Sequence, residues 1–217
     1  MDREEVNSRV RAAGLIAILR HTEAKRAIET AEALRSAGVD VVEVTLNTAG
    51  ALDMLRALTG HFGSQLVVGA GTVLSAATAG EAVEAGARLI VAPNLDESVV
   101  RFAVETEVTA IPGAFTPTEI LRAWRAGASF VKVFPVGSVG PRYLRDVLAP
   151  LNDIPLVPTG GVNLDNAADF IRAGAVALGL GSALVEPRLV SAGDFAKIAE
   201  TARAFVSAIK TARGATT

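Results

Sequence analysis

Short apolar runs alternate with amphipathic segments along almost the whole chain. Eight runs rich in Val, Ile and Leu have the length and composition of buried strands, and they span 15–19, 39–46, 66–73, 89–93, 108–112, 130–135, 155–159 and 175–181. The segments between them carry apolar residues three or four positions apart, as Ala27, Ala31 and Leu34 do. This period is typical of helices that pack on one face. The pattern therefore predicts strands and helices in strict alternation.

Cap residues predict where several of these helices begin and end. Thr116, Pro117 and Glu119 have the spacing of a capping box with proline in the first turn. Three other helical segments are expected to begin at Ser75, Asn94 and Asn163. Ala-Gly pairs, with glycine expected as the residue that ends a helix, stand at 37–38, 85–86, 126–127 and 173–174.

Strict alternation implies a parallel sheet whose strands are joined by helical crossovers. The Ala-Gly pairs precede every second strand, and this weak repeat favours eight similar units. A doubly wound open sheet is the competing architecture, but no Gly-x-Gly-x-x-Gly motif follows the first strand. We therefore expect an α/β protein folded as a single, compact (β/α)8 TIM barrel without large insertions. The domain is expected to span 1–217, with a flexible tail at 210–217.

Composition and charge exclude several classes of function. The 21 basic and 23 acidic residues are spread along the chain, so no basic stripe is present to bind nucleic acid or anionic lipid. The charged N-terminus does not resemble a signal peptide and no apolar run has the length of a bilayer span, which predicts a cytoplasmic protein without a membrane partner. The absence of cysteine and the presence of only two histidines exclude disulfides, thiolate chemistry and the usual zinc ligand sets. We expect no metal and no cofactor.

Two ionisable residues lie inside the apolar runs. Glu43 is in the second run and Lys132 is in the sixth, while Arg20 closes the first. Because side chains alternate between the faces of a strand, Phe130, Lys132 and Phe134 share one face, and one of the two faces is directed to the interior of the barrel. Catalytic residues of barrel enzymes lie at the C-terminal ends of the strands. Lys132 and Glu43 are therefore the first candidates for catalysis.

The chemistry of these two residue types points to an imine mechanism. Desolvation favours the neutral form of a lysine amine, which is the form that attacks a carbonyl carbon. Lys132 would then form a protonated imine with a 2-keto acid, and Glu43 would move protons to and from its hydroxyl groups. The alternative is a buried ion pair that only helps to specify the fold. Such pairs are costly, so the functional interpretation is preferred.

Two glycine-rich segments follow the seventh and eighth strands, at 158–163 and 179–184. Glycines allow backbone N–H groups to approach an anion closely, and barrel enzymes commonly bind phosphate after these two strands. The segments are therefore interpreted as a phosphate site, with simple tight turns as the alternative. A third turn places Thr72 after the third strand, where it either binds a carboxylate or caps the next helix.

The motifs taken together resemble one family over nearly the whole chain. They are EVTL at 43–46, GAGTV at 69–73, IPG at 111–113, VKVFP at 131–135, TGG at 159–161 and GS at 181–182. They are similar to those of the 2-keto-3-deoxy-6-phosphogluconate (KDPG) aldolases, which are often bifunctional with 4-hydroxy-2-oxoglutarate (KHG) aldolase. The resemblance implies a class I lyase of the Entner-Doudoroff pathway and a homotrimer.

The resemblance also implies roles for individual residues. Lys132 matches the Schiff-base lysine and Glu43 the general acid/base. The residues matching the pyruvate site are Thr72 and Pro93, those matching the pocket wall are Phe134 and Thr159, and those matching the phosphate site are Gly160, Gly161, Gly181 and Ser182.

One position departs from the family pattern. Asn47 stands where many KDPG aldolases have arginine, and Arg20 is expected to supply the missing positive charge. Asn47 also brings the chain closer to the bifunctional group and to the phosphogalactonate aldolases. His21, which follows Arg20 in the chain, is expected to be a solvated loop residue.

The expected reaction is reversible cleavage of KDPG to pyruvate and glyceraldehyde 3-phosphate, with cleavage of KHG to pyruvate and glyoxylate as a second activity. The 6-phosphogalactonate analogue is the alternative substrate. More distant alternatives are a phosphosugar isomerase or epimerase and a barrel that binds a phosphometabolite without imine chemistry.

Overall fold

The computed structural model describes residues 1–20 and 24–214, so His21 lies outside the described residues. Each predicted apolar run contains one strand of the structure. The strands are β1 (Leu15–Leu19), β2 (Val41–Thr45), β3 (Val67–Gly71), β4 (Leu89–Val91), β5 (Thr109–Ile111), β6 (Gly113–Ala114), β7 (Val131–Val133), β8 (Leu156–Pro158) and β9 (Leu178–Leu180). The additional strand, β6, follows Pro112 directly and was not predicted as a separate element.

Helices follow the strands in the predicted alternation. They are α1 (Arg3–Ala13), α2 (Ala24–Ser36), α3 (Ala51–Phe62), α4 (Ala76–Glu84), α5 (Glu97–Glu105), α6 (Pro117–Arg125), α7 (Gly140–Leu148), α8 (Ala167–Arg172), α9 (Pro187–Ala192) and α10 (Phe195–Gly214), with a short 3-10 helix at Gly63–Gln65. Among the helices of the described ranges, none combines the length and apolar character needed to span a bilayer.

All strand pairings in the described residues are parallel, as the alternation predicts. A six-stranded sheet has the order β5-β4-β3-β2-β1-β9, and a three-stranded sheet has the order β6-β7-β8. Pro112 lies where the fifth run passes from the first sheet to the second, and its carbonyl accepts a hydrogen bond of 2.9 Å from the backbone N–H of Lys132. A bridge between Thr159 and Gly179 joins the other ends of the two sheets.

The two faces of the sheets pack into separate apolar clusters. Val131 and Val133 belong to the larger cluster, which also contains the buried faces of the outer helices. Phe130 belongs to the smaller cluster, which contains strand residues and the α1 residues Val6 and Val10. This separation confirms the predicted alternation along β7. Helix α1 was not predicted, and its buried residues Val6 and Val10 belong to this smaller cluster.

The predicted helix starts are confirmed in part. The Thr116–Glu119 capping box forms as predicted, and the Ser75 hydroxyl accepts a hydrogen bond from the N–H of Thr78. The prediction for α5 is wrong because the carboxylate of Asp96, and not Asn94, accepts from the first turn.

Helix α8 also begins later than predicted. The Asn163 side chain accepts from the N–H groups of Asp165 and Asn166 and so forms a turn before the helix, for which Asn166 is the cap residue.

The C-terminal segment, for which a flexible tail is expected at 210–217, is helical as far as Gly214. Helix α10 continues to Gly214, and both Ile209 and Ala212 are buried. The Arg213 guanidinium donates hydrogen bonds to the carbonyl oxygens of Arg11, Ala12 and Val176. Residues 210–214 therefore pack against the N-terminal region, while 215–217 lie outside the described residues.

Candidate active site

A cavity of about 600 Å³ opens at the C-terminal ends of the strands. Strand ends converge there because the strands are parallel, and this is the edge at which the motifs were expected to meet. The sequence-predicted residues that line this cavity are Arg20, Asn47, Thr72, Pro93, Lys132, Phe134, Thr159, Gly160, Gly161, Gly181 and Ser182. The structure therefore brings all of these predicted site residues together, with Glu43 behind them.

Lys132 lies in the middle of β7 and is 7% exposed. Its strand neighbours Val131 and Val133 pack with the outer helices, so the lysine side chain is directed to the opposite face and lines the cavity. The ammonium nitrogen Nζ is 5.2 Å from the centroid of the Phe134 ring. The lysine thus presents its amine from a largely desolvated wall of the cavity.

Glu43 lies in the middle of β2 and is 3% exposed. Within residues 1–20 and 24–214 its carboxylate receives no hydrogen bond that offsets this burial. Burial raises the pKa of Glu43, and the positive charges of Lys132 and Arg20 act in the opposite direction without reversing the shift. A carboxyl group with a raised pKa keeps its proton to a higher pH than an exposed carboxyl group does, which suits a group that donates and then accepts a proton.

The side chain of Glu43 fits its position because β3 carries a glycine there. Val44 and Thr45 of β2 pair with Ala70 and Gly71 of β3. A Cβ atom on Gly71 would lie 1.7 Å from Oε1 of Glu43 and 2.3 Å from Cδ. The missing side chain of Gly71 therefore leaves the space in which the carboxyl group is held.

Thr72 has a left-handed backbone conformation, with φ of 58°. This conformation is uncommon for a β-branched residue and is typically retained where function requires a particular orientation. The alternative that Thr72 caps the next helix is wrong, because the hydroxyl of Ser75 caps α4. Thr72 lines the cavity and directly follows Gly71, beside which the Glu43 carboxyl group lies.

Two residues with polar side chains lie at the open rim of the cavity. Arg20 follows β1 and Asn47 follows β2, and both are exposed. Arg20 is close enough for its charge to act on Glu43. Asn47 carries no charge, so the positive charge on this part of the rim comes from Arg20.

The turn after β8 has the geometry expected of an anion-binding turn. Gly160 and Gly161 both have positive φ values, 77° and 99°. In the described part of the chain, the backbone N–H groups of Gly161 and Ser182 donate to no protein acceptor. Phe134 packs against Gly160, where a Cβ atom would lie 2.9 Å from the ring. Gly161 in this turn and Ser182 after β9 therefore each keep a backbone donor for an anion in the cavity.

The profile of the KDPG and KHG aldolase family matches residues 6–201. The chain belongs to this family. The chain is therefore an aldolase, which makes it a lyase and agrees with the enzyme class expected from the motifs.

Individual relatives in the family differ in substrate. The chain is 37% identical over 199 residues to 2-dehydro-3-deoxy-6-phosphogalactonate aldolase of Escherichia coli strain K12, covering 91% of this chain and 95% of the relative. It is also 37% identical over 174 residues to 2-dehydro-3-deoxy-phosphogluconate aldolase of Pseudomonas aeruginosa, covering 80% of this chain and 79% of the relative.

A solved structure in the family shows the same fold with a bound reactant. KDPG aldolase from Legionella pneumophila aligns with a TM-score of 0.86 and 27% identity, covering 92% of this chain and 97% of that chain. That structure holds pyruvate captured at low pH as a covalent carbinolamine intermediate.

Some cavity residues were not predicted from the sequence. They are Ile18, Val185 and Pro187, whereas Val162, Asn163, Gly179 and Ala183 lie within the predicted glycine-rich segments 158–163 and 179–184. Val185 and Pro187 follow the second segment, so extending it by three residues would have found them. Ile18 pairs with Glu43 across β1 and β2, but an apolar residue in the middle of a strand gives no signal in the sequence.

Proposed function

We propose that this aldolase reversibly cleaves KDPG into pyruvate and glyceraldehyde 3-phosphate through an imine on Lys132. The observation that carries the proposal is the position of Lys132, which is 7% exposed and lines the same cavity as the Gly160–Gly161 turn, with the buried Glu43 behind it. The pair offers a nucleophile and a proton carrier, and the turn offers donors for a phosphate. Family membership favours aldol chemistry over an isomerase, an epimerase or a barrel that only binds.

The bond changes follow from these two side chains. The Lys132 amine attacks C2 of the keto acid, and the resulting carbinolamine loses water after Glu43 protonates its hydroxyl. The iminium accepts the electron pair of the C3–C4 bond as that bond breaks, while Glu43 takes the proton of the C4 hydroxyl and the aldehyde leaves. The enamine is then protonated at C3, and water hydrolyses the imine to release pyruvate. No step consumes a metal or a cofactor.

The remaining predicted residues are proposed to bind and orient the substrate. Thr72 and Pro93 contact the pyruvate end, and Phe134 and Thr159 form the wall beside the imine. The phosphate is bound by backbone N–H groups of Gly160, Gly161, Gly181 and Ser182. Arg20 and Asn47 contact the part of the substrate near the rim.

The 6-phosphogalactonate analogue is a second candidate substrate. Two observations favour it. At the same identity of 37%, the match to the Escherichia coli phosphogalactonate aldolase covers 91% of this chain and the match to the Pseudomonas aeruginosa phosphogluconate aldolase covers 80%, and Asn47 stands in place of an arginine. KHG is a third candidate, because the matching family includes KHG aldolases. The two sugar acids differ in configuration at C4, so the groups that contact the C4 hydroxyl decide between them.

The proposal is tested by comparing kcat/KM on KDPG, its galactonate analogue and KHG, with pyruvate release measured in each case. We expect KDPG or its galactonate analogue to be cleaved with the highest kcat/KM. Slower turnover on both phosphorylated compounds than on KHG would contradict the phosphate site. Full activity in Lys132→Ala would contradict the imine mechanism.

We also propose that the two sheets close into a single (β/α)8 barrel and a single domain. The bridge between Thr159 and Gly179 and the hydrogen bond between Lys132 and Pro112 support closure, because they lie where the two sheets meet. In this arrangement β5 and β6 are two parts of one strand.

A homotrimer in the cytoplasm, acting in the Entner-Doudoroff pathway, is proposed from the family resemblance. The exposed apolar side chains of Leu74, Trp124 and Leu164, which are 56%, 37% and 43% exposed, support an association of subunits. Light scattering coupled to size exclusion would give the mass of three chains if the trimer forms.

A further inference from the structure

The loop after β7 contacts the turn after β8 through its backbone. This loop spans 134–139, and Val136 is its buried residue. The Val136 N–H donates to the carbonyl oxygen of Thr159 at 3.1 Å and to that of Gly160 at 2.9 Å. The loop that continues from the strand of Lys132 is thereby attached to the turn that offers the anion-binding donors.

The closest approach in this contact is between Gly137 and Gly161. A Cβ atom on Gly161 would lie 2.3 Å from Cα of Gly137, so no other residue fits at 161 without moving the loop. A Cβ atom on Gly137 would lie 3.3 Å from Cα of Gly161 and 3.5 Å from the carbonyl oxygen of Gly160. The two backbones therefore touch with no side chain between them.

The opposite side of the turn is fastened by Asn166. Its side-chain amide donates to the carbonyl oxygen of Gly161 at 2.9 Å, and its carbonyl oxygen accepts from the N–H of Asn163 at 2.9 Å. The Gly160–Gly161 turn is thus held between Asn166 on one side and Gly137 on the other. Gly137 itself is exposed, so it contributes little to the apolar core.

We propose that Gly137 is a positioning residue that sets the distance between Lys132 and the anion-binding turn. The inference rests on the proposed function. It concerns the part of the site that selects substrates with a phosphate at the end away from the keto group. A side chain at 137 would push the turn away by a few tenths of an ångström. Hydrogen bonds to a charged group weaken steeply with poor alignment, so the loss falls on the phosphate and not on the imine.

The test compares Gly137→Ala with Ser138→Ala, a change at an exposed residue of the same loop. The substrates are KDPG and unphosphorylated 2-keto-3-deoxygluconate, which differ only in the phosphate. In Gly137→Ala we expect KM for KDPG to rise about tenfold, as expected for the weakening of hydrogen bonds to a charged group, while kcat stays within about twofold. The value of kcat/KM for the unphosphorylated compound is expected to change less than twofold, and Ser138→Ala is expected to match wild type on both.

Equal losses on both substrates, or no loss on either, would overturn the proposal. A binding measurement that does not depend on turnover separates this failure from a failure of the proposed function. Titration with glycerol 3-phosphate, with glycerol as the control, should give weaker binding in Gly137→Ala than in wild type and Ser138→Ala. The proposed function fails if wild type forms no imine with pyruvate. Independently of that result, unchanged affinity for glycerol 3-phosphate in Gly137→Ala would overturn the role of Gly137.

Discussion

Gly71 faces the carboxyl group of Glu43 so closely that a Cβ atom on the glycine would lie 1.7 Å from Oε1. The contact involves the side chain itself and not only its flexible end, because Cδ and Cγ would lie 2.3 and 2.6 Å away. Glu43 therefore reaches its position only while residue 71 has no side chain. The carboxyl group that we propose as the proton carrier is thus placed by a neighbouring strand as much as by its own.

The first prediction concerns the space beside Gly71 that holds the Glu43 carboxyl group. Gly71→Ala is expected to displace the Glu43 carboxyl group and lower kcat by about 10²–10⁴-fold, the usual contribution of a positioned acid or base. The fold should persist, since a single methyl group is added at the C-terminal end of β3. Steady-state kinetics and circular dichroism check both parts. Gly60→Ala is the control, because a Cβ atom there meets nothing within 4 Å, and wild-type kcat in Gly71→Ala would rule out this role of Gly71.

The second prediction concerns stability and pH. Burial raises the pKa of Glu43 above its ordinary value of 4.5, so the folded state binds the proton more tightly than the unfolded state does. The free energy of unfolding should therefore fall as pH rises from 4.5 through the raised pKa. Glu43→Gln removes this dependence. Denaturant titrations over that range should show Glu43→Gln gaining stability relative to wild type as pH rises, and parallel curves for the two proteins would refute the shift.

The third prediction concerns Arg20. Its positive charge acts to lower the pKa of Glu43, so Arg20→Ala is expected to raise that pKa further. Because Glu43 first acts as the acid that protonates the carbinolamine hydroxyl, the basic limb of the pH profile of kcat/KM should then move to higher pH. Because Arg20 is exposed, the effect should shrink at high ionic strength. Arg203→Ala, at an exposed position on α10, serves as the control, and an unmoved basic limb in Arg20→Ala would argue against the interaction.

Much of the fold could be predicted because buried parallel strands appear in the sequence as short apolar runs. The strand of Lys132 is an example, since Val131 and Val133 must pack on one face and leave Lys132 on the other. Lys132 and Glu43 were found for the same reason, because an ionisable residue inside such a run is conspicuous. The fold could therefore be predicted wherever the local pattern of apolar residues indicates which side chains are buried.

Features that depend on contacts distant in the sequence could not be predicted. The role of Gly71 depends on the register of β2 against β3, and the Gly137–Gly161 contact depends on how two loops meet. Helix α1 was missed because its charged residues conceal the buried Val6 and Val10. The contact of Arg213 with the carbonyl oxygens of Arg11 and Ala12 likewise joins residues far apart in the chain and has no local signal.

The most direct test of the account is borohydride reduction in the presence of pyruvate, followed by mass spectrometry of the proteolytic peptides. The account predicts a pyruvate-derived mass on the peptide that contains Lys132, and its loss in Lys132→Ala. The other lysines at positions 25, 197 and 210 should remain unmodified and serve as internal controls. An unmodified Lys132, or trapping on another lysine, would contradict the imine mechanism.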